Sequence, residues 1–189
     1  ALLRYKLPQN ISLIGGVRAL RTEGTASLPA TAQYELRAGP ETDLGYVLGV
    51  AWEKPEIAAR VALTYNSSIT HDLAAQEASV ATEGAFINTA LTTEVPESVN
   101  LEFQTGVAKD TLLFGSVRWV KWTSFNLTPD HYANDLGLGS LVDYSDNVTT
   151  YTLGLGRKFT ENWSGAVILG YEKHTGTPTG QLGPTDDFK

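Results

Sequence analysis

Strict alternation of apolar and polar residues is the feature that most constrains what this sequence can fold into. Residues two apart share one face of a β-strand, so this pattern predicts strands with one apolar and one polar face. The alternation is clearest in residues 99–107, where the apolar face holds Val99, Leu101, Phe103 and Val107. It recurs more weakly in seven further segments, residues 1–6, 11–21, 44–52, 60–69, 111–123, 148–159 and 163–173. The sequence therefore predicts about eight strands.

The connections between these strands alternate in length. Short ones are predicted at residues 7–10, 53–57, 108–110 and 160–162, and long ones at residues 22–43, 70–98 and 124–147. Short and long connections then lie at opposite ends of the strands. This arrangement is typical of an all-β, antiparallel, up-and-down β-barrel with tight turns at one end and long loops at the other.

Aromatic residues bracket the apolar faces of several predicted strands. Tyr151 and Phe159 are eight residues apart on one strand, as are Trp163 and Tyr171 on the next, and Tyr46 and Trp52 bracket an earlier strand. Eight residues at ~3.3 Å each span roughly 26 Å, or about 20 Å of height at a ~40° tilt, close to the apolar band of a membrane barrel. The spacing favours a transmembrane barrel over the alternative, a soluble β-sandwich whose aromatics fill its core.

Composition excludes several other classes of protein. The net charge is −7 and no basic patch is visible, which argues against a nucleic-acid partner. There is no cysteine, so disulfides and thiolate sites are excluded. No apolar run approaches the ~18 to 20 residues of a membrane helix.

No motif in the sequence predicts catalysis, a cofactor or a bound metal. His71, His131 and His174 fall in predicted long loops without ligand spacing, and we expect them to be solvated. The glycines of residues 135–139 and 153–156 do not complete a dinucleotide fingerprint. We therefore expect a protein that is not an enzyme.

The inward face of the predicted barrel mixes charged and apolar side chains. The charged ones are Arg18, Arg60, Glu102, Arg118 and Glu172; the apolar ones are Ile14, Leu20, Leu112, Phe114, Val120 and Ile168. Two interpretations remain open. The apolar side chains, Phe114 and Ile168 among them, either contact a hydrophobic ligand or pack against a plug in the lumen.

Five segments resemble the FadL family of outer-membrane transporters for long-chain fatty acids and hydrocarbons. They are residues 52–58 (WEKPEIA), 62–67 (ALTYNS), 96–98 (PES), 119–125 (WVKWTSF) and 162–163 (NW). Two positions depart from the family pattern. Asn66 stands where the family usually has arginine, and residues 175–178 replace an acidic Ser-Pro turn.

The resemblance implies a fourteen-stranded barrel plugged by an N-terminal hatch. Residues 1–189 would form a single segment that supplies the middle strands, with the hatch and the closing strands outside it. The implied protein is a monomeric, multi-pass channel of the bacterial outer membrane. It would contact membrane lipid and lipopolysaccharide, and take up long-chain fatty acids or other hydrophobic compounds passively.

Apolar residues in two long connections are the candidates for ligand capture. They are Leu28, Tyr34 and Leu36 in residues 22–43, and Phe86, Ile87 and Leu91 in residues 70–98. In the family, these two loops resemble the pair that forms an external groove. The competing hypothesis is that these residues only pack the loops against one another. A second functional alternative is a small, complete structural barrel without transport, which the loop-like composition of residues 174–189 disfavours.

Overall fold

The computed structural model describes residues 1–173, 180 and 182. This part of the chain is almost entirely antiparallel β-structure, and none of its helices has the length and apolar character needed to cross a membrane. Its strands are β1 (Leu2–Lys6), β2 (Ile11–Leu28), β3 (Tyr34–Lys54), β4 (Ala59–Asn66), β5 (Ile69–Ala78), β6 (Ile87–Val95), β7 (Ser98–Ala108), β8 (Thr111–Val120), β9 (Asn126–Leu127), β10 (Val142–Asp143), β11 (Val148–Lys158) and β12 (Ser164–Glu172).

Eight strands form a continuous meander in the order β1-β2-β3-β4-β7-β8-β11-β12. Each pairs with its neighbours in antiparallel register. These are the eight predicted strands, so the predicted all-β, up-and-down architecture is confirmed. Among the described residues, β1 pairs only with β2, and β12 only with β11, so the sheet is an open, curved wall.

The register places the predicted apolar residues on one face of this wall. Leu48 of β3 lies opposite Tyr65 of β4, which lies opposite Val99 of β7 and, through it, Trp119 of β8. The same face is strongly exposed further along the sheet, where Leu153 is 49% and Leu169 is 70% exposed. A continuous exposed apolar face on a sheet is what lipid contact requires.

Aromatic side chains mark both ends of this apolar face, as the spacing predicts. At the end with the long connections, the rings of Tyr151 and Tyr171 lie 6.3 Å apart, and those of Tyr46 and Tyr65 lie 5.9 Å apart. At the opposite end, Phe159 and Trp163 flank a short turn and are largely exposed. We call the end with the long connections the outer end, because membrane barrels place long loops outside the cell.

Two of the predicted long loops are instead strands that extend above the wall. β2 continues to Leu28 and β3 begins at Tyr34, so only residues 29–33 form a turn. Residues 70–98 are mostly the hairpin β5–β6, and β5 pairs with the outer part of β3. The prediction missed β5 because the polar residues His71 and Glu77 occupy its buried face, which obscures the alternation.

A bulge separates the outer extension of β3 from the wall. Thr22 pairs with Glu41 but Gly24 pairs with Ala38, so β3 carries one extra residue between these pairs. Pro40, which has no backbone N–H to donate, lies within it. The bulge changes which residues of β3 are buried: Tyr34, Leu36 and Ala38 before it, and Gly45 and Val47 after it.

Gly115, on the lipid face of β8, lies close to the backbone of β11 and to the ring of Phe103 because it has no side chain. A Cβ added there would lie 2.6 Å from the backbone oxygen of Thr152 and 2.7 Å from the ring of Phe103. We expect Gly115→Ala to destabilise the barrel by about 1–3 kcal/mol, because strand or ring must shift. The measurement is the urea midpoint in detergent. Gly15→Ala is the control, since its nearest atom is 4.0 Å away. Equal midpoints for the two variants would contradict the proposed crowding.

Candidate functional site

An apolar cavity of about 260 Å³ lies at the outer end, above the wall. It is lined by the outer parts of β2, β3, β5 and β6, by Leu182, and by residues 121–147, which connect β8 to β11 and which we call the capping loop. Most of its lining is aliphatic or aromatic. The apolar side chains that line it are Ala26, Leu36, Ala38, Leu73, Leu91, Val95, Phe125, Leu127, Leu141 and Leu182.

The cavity is bordered by a small hydrophobic core that holds the outer strands and the capping loop together. Leu36, Leu73 and Leu91 are each less than a tenth exposed, and Leu141 of the capping loop is fully buried. The same cluster contains Tyr34 and Tyr132, whose rings meet edge to face with centroids 4.8 Å apart. The lining is therefore fixed by close packing against the core.

His71 is the main buried polar residue in the cavity wall. Its Nδ1 lies 2.7 Å from Asp43 Oδ2, and its Nε2 lies 3.1 Å from Thr22 Oγ1. The three residues come from β5, β3 and β2, so the hydrogen bonds tie three strands together. The imidazole is completely buried and both of its nitrogens are occupied.

Glu77 fastens the capping loop to the outer strands. Its fully buried carboxylate accepts hydrogen bonds from the backbone N–H of His131 (3.0 Å) and Tyr132 (2.9 Å), and from the hydroxyl of Tyr34 (2.8 Å). Within the described residues it has no ion-pair partner. Hydrogen bonds alone therefore compensate for burying this carboxyl group.

Further contacts reinforce the same junction, which we call the Glu77 latch and which comprises Tyr34, Glu77, Ser79, His131 and Tyr132. Ser79 Oγ lies 2.9 Å from His131 Nε2, and His131 Nδ1 lies 2.7 Å from Asp135 Oδ2. The spacing is similar to that of a catalytic triad. Ser79, however, is only 1% exposed and its Oγ accepts the N–H of Ala81, so the geometry serves attachment of the loop.

Burial raises the pKa of Tyr34 well above its usual range, and the hydrogen bond to Glu77 raises it further. A raised pKa in the folded state stabilises the fold below the ordinary tyrosine pKa of ~10, and this contribution is lost only as the pH rises above that value. The hydroxyl of Tyr34 therefore donates to Glu77 throughout the neutral range.

Three aromatic rings of the capping loop stand beside the cavity. Phe125 lies 5.8 Å from both Trp122 and Tyr144, and the last two lie 5.1 Å apart, measured between centroids. Only Phe125 of the three lines the cavity. A second, more polar groove of about 260 Å³ lies on the inward face of the wall, between Arg60, Glu102 and Phe114.

The structure distributes the predicted ligand residues over several places. Leu36 and Leu91 line the apolar cavity. Tyr34 is fully buried in the adjoining core, and Leu28 packs against it. Phe86 lies outside the cavity lining, with Arg37 4.0 Å above its ring, and Ile87 is half-buried at the start of β6. Phe114 borders the inward groove, and Ile168 is exposed on β12.

The prediction that the histidines are solvated is wrong for two of them. His71 is completely buried and His131 is 3% exposed, because each is hydrogen-bonded through both ring nitrogens. His174 lies outside the described residues, as does most of the loop predicted for residues 174–189. The prediction also missed Glu77, because its hydrogen-bond partners Tyr34, His131 and Tyr132 lie 43 to 55 residues away and no local pattern marks its burial.

An antiparallel meander with an exposed apolar face, aromatic borders and short turns at one end defines a transmembrane β-barrel wall of the bacterial outer membrane. A family model for outer membrane transport proteins (OMPP1/FadL/TodX) matches residues 5–172. The chain belongs to this family of outer membrane transport proteins.

Solved structures share the fold at low sequence identity. A FadL homologue of Pseudomonas aeruginosa matches 91% of the chain with a TM-score of 0.70 and 18% identity. The toluene transporter TodX of Pseudomonas putida matches 91% with a TM-score of 0.57 and 12% identity. The CymD monoaromatic hydrocarbon channel matches 94% with a TM-score of 0.52 and 14% identity. No curated protein sequence shows significant similarity.

The chain spans about half the length of these solved structures. It covers 48% of the FadL homologue, 53% of TodX and 61% of CymD.

Proposed function

We propose that this chain forms part of an outer-membrane channel that admits hydrophobic compounds passively, without converting them chemically. The apolar cavity at the outer end is the observation that carries this proposal. A space lined by Leu36, Leu91 and Leu141 offers a hydrophobic molecule a place outside water before it enters the lumen. The sequence resemblance names long-chain fatty acids among the ligands, and the toluene and monoaromatic channels support smaller hydrocarbons.

In this channel, other segments of the protein would supply the parts that residues 1–189 do not form. A hatch would plug the lumen and further strands would close the barrel at β1 and β12, each of which has one edge without a partner strand among the described residues. The exposed apolar face would contact membrane lipid, with lipopolysaccharide around its outer rim. We propose that the complete barrel works as a monomer, because its lumen provides the path.

Within this channel, the cavity is the proposed capture site. Leu36 and Leu91 would contact the ligand, while Tyr34 and Leu28 support the wall behind them. Phe114 and Ile168 lie on the inward face and would come later on the path. Phe86 and Ile87 would take part only if capture occurs on the outside of the β5–β6 hairpin.

Leu91→Asp separates these two places of capture. Leu91 is 3% exposed and lines the cavity, so an aspartate there should weaken binding of a hydrophobic probe by about tenfold or more. Phe86→Asp introduces the same charge on the same hairpin outside the cavity, and binding should stay within about twofold. The measurement is toluene binding and uptake by the full-length barrel, with assembly checked by heat-dependent gel mobility.

A second variant guards against a folding defect in Leu91→Asp. Leu91→Trp keeps the site apolar but fills the cavity, and it should also reduce binding. Normal toluene binding in a correctly assembled Leu91→Trp barrel would remove the cavity from the proposal. Loss of binding in Phe86→Asp with normal binding in both Leu91 variants would place capture on the outer surface of the hairpin.

A further inference from the structure

The outer end of the molecule joins the wall along a single line. The ladders β3–β4, β4–β7, β7–β8 and β8–β11 all end on one row of residues, formed by Val47, Asn66, Ser98, Val120 and Val148. Among the described strands, only the β2–β3 ladder continues across this row, and it reaches the pair Leu28 and Tyr34. The outer end is therefore attached to the wall by one β-ribbon and by irregular connections.

The chain is interrupted where it crosses this line. Residues 67–68 separate β4 from β5, residues 96–97 separate β6 from β7, and the β2–β3 ribbon carries the bulge at Pro40. Bulges and strand ends bend more easily than a regular ladder, because fewer hydrogen bonds must be distorted. The part beyond these breaks, which we call the outer unit, comprises residues 24–38, 69–95 and 126–143.

Contacts within the outer unit are continuous. The outer part of β3 pairs with β5, and β5 pairs with β6 along its length. The Glu77 latch fastens the capping loop to these strands, and the hydrophobic core around Leu73 packs between them. A segment connected in this way opens or moves as one cooperative unit.

Between the row and the bulge, β3 has no ladder partner on the side of β5. It pairs with β4 as far as Val47, and with β5 only from Ala38 outward. The bulge reverses which residues of β3 face inward, so in this stretch its side chains are out of step with those of β5. Strands that are out of step in this way cannot form a regular ladder.

His71 of β5 spans this gap with side-chain hydrogen bonds. Its Nδ1 lies 2.7 Å from Asp43 Oδ2 and its Nε2 lies 3.1 Å from Thr22 Oγ1, and both partners lie on the wall side of the bulge. Ile69 packs closely beside it, since a Cβ added to Gly45 would lie 2.7 Å from Ile69 Cγ1. Side chains therefore hold the outer unit to the ribbon where the backbone ladder is missing.

We infer that the outer unit is jointed to the wall and that His71 holds this joint closed. Thr22 and His71 line the apolar cavity, as does Val95 next to the break at residues 96–97. Tilting of the outer unit therefore opens the cavity on its wall side. The use of this movement, which is to pass a captured molecule toward the lumen, rests on the proposed function.

Spin labels in the full-length barrel measure the movement directly. With labels at Ala90 of the outer unit and Leu101 of the wall, the parent should give one narrow distance distribution. His71→Leu should broaden it or add a second distance, because both hydrogen bonds across the gap are lost. Label pairs within one part, Glu35 with Ala90 and Leu101 with Leu153, should keep their distances.

His131→Leu is the matched control for His71→Leu. His131 is also buried and hydrogen-bonded through both ring nitrogens, but its partners Ser79 and Asp135 belong to the outer unit. This variant should leave the distance between the outer unit and the wall unchanged. Asp43→Ala guards against a folding defect in His71→Leu, because the Asp43 side chain is 32% exposed, and it should broaden the same distance.

Thiol labelling tests whether the cavity opens on its wall side. The chain contains no cysteine, so Val95→Cys introduces a single thiol into it. Val95 lines the cavity and is partly buried. Its reaction with a maleimide should be about tenfold faster in His71→Leu than in the parent, since losing a hydrogen bond to a charged group raises the open population by about that factor.

The outcomes separate the joint from the capture site. Unchanged distances in correctly assembled His71→Leu and Asp43→Ala barrels would show that His71 does not hold a joint. Equal broadening within the outer unit would show that the unit loosens as a whole, which contradicts a jointed body. Equal effects of His131→Leu would contradict the specific role of His71. If the expected distances and labelling rates are found while Leu91→Trp leaves toluene binding unchanged, the joint is supported and only the capture site fails.

Discussion

Refolded alone in detergent, the 189-residue chain is expected not to form a compact, heat-modifiable monomer. The wall ends at β1 and β12, and each of these strands has one edge without a partner among the described residues. Every residue of β12 is exposed. Unpaired backbone groups cost several kcal/mol each in hydrocarbon, so an open sheet of this size cannot persist as a monomer in a micelle.

Light scattering and gel mobility with and without heating measure this outcome. We expect oligomers or aggregates in which free edges pair between copies, whereas the full-length barrel refolded in the same detergent should give a monomer whose mobility changes on heating. A compact monomer formed by the 189 residues alone would mean that β1 and β12 close on each other. That result would favour the alternative of a complete eight-stranded structural barrel over the transport channel.

Glu77→Leu is expected to detach the capping loop from the outer strands without unfolding the wall. The substitution leaves three donors without their acceptor, namely the N–H groups of His131 and Tyr132 and the hydroxyl of Tyr34. Each buried donor left unpaired costs about 1–3 kcal/mol, so the latch should lose most of its stability. Amide exchange in residues 126–143 should accelerate by about a hundredfold or more, since each 1.4 kcal/mol corresponds to about tenfold.

In the same exchange experiment, the strands of the wall serve as an internal reference. Peptides from β7 and β8 lie in the wall and should exchange as in the parent protein. Glu35→Leu is the matched control, because it removes a carboxylate from the outer part of β3, which pairs with β5 beside Glu77; Glu35 lies opposite Ala78, is exposed and lies 3.9 Å from Arg37. Unchanged exchange in residues 126–143 of Glu77→Leu would show that hydrophobic packing alone holds the loop.

The wall can be predicted from the sequence much further than the outer end can. The alternation around Leu101, Leu153 and Leu169 predicts the wall correctly, because lipid on one side and the lumen on the other impose a period of two. Polar residues in that part of the sequence therefore mark the inward face. The aromatic borders at Tyr151 and Trp163 follow from the same constraint, since interfacial rings must lie a fixed height apart.

At the outer end, burial depends on long-range hydrogen bonds as well as on alternation, so the sequence predicts less of it. Tyr34, Leu36 and Leu91 are recognisable as apolar residues in otherwise polar segments, and all three lie in or beside the cavity. His71 and Glu77 were not recognisable as buried. A buried polar group is stable only if its partners are present, and these partners are 28 to 55 residues away along the chain.

The sequence by itself determined the strand pattern, the face that meets lipid and the family of this protein, because these depend on local periodicity and on motifs within single segments. Only the tertiary structure decided that residues 22–43 and 70–98 are paired strands, that Glu77 holds the capping loop, and that an apolar cavity lies between them. The physical reason is that a cavity and a latch arise from long-range pairing, which brings together β2, β3, β5, β6 and the capping loop in a way that no single segment encodes.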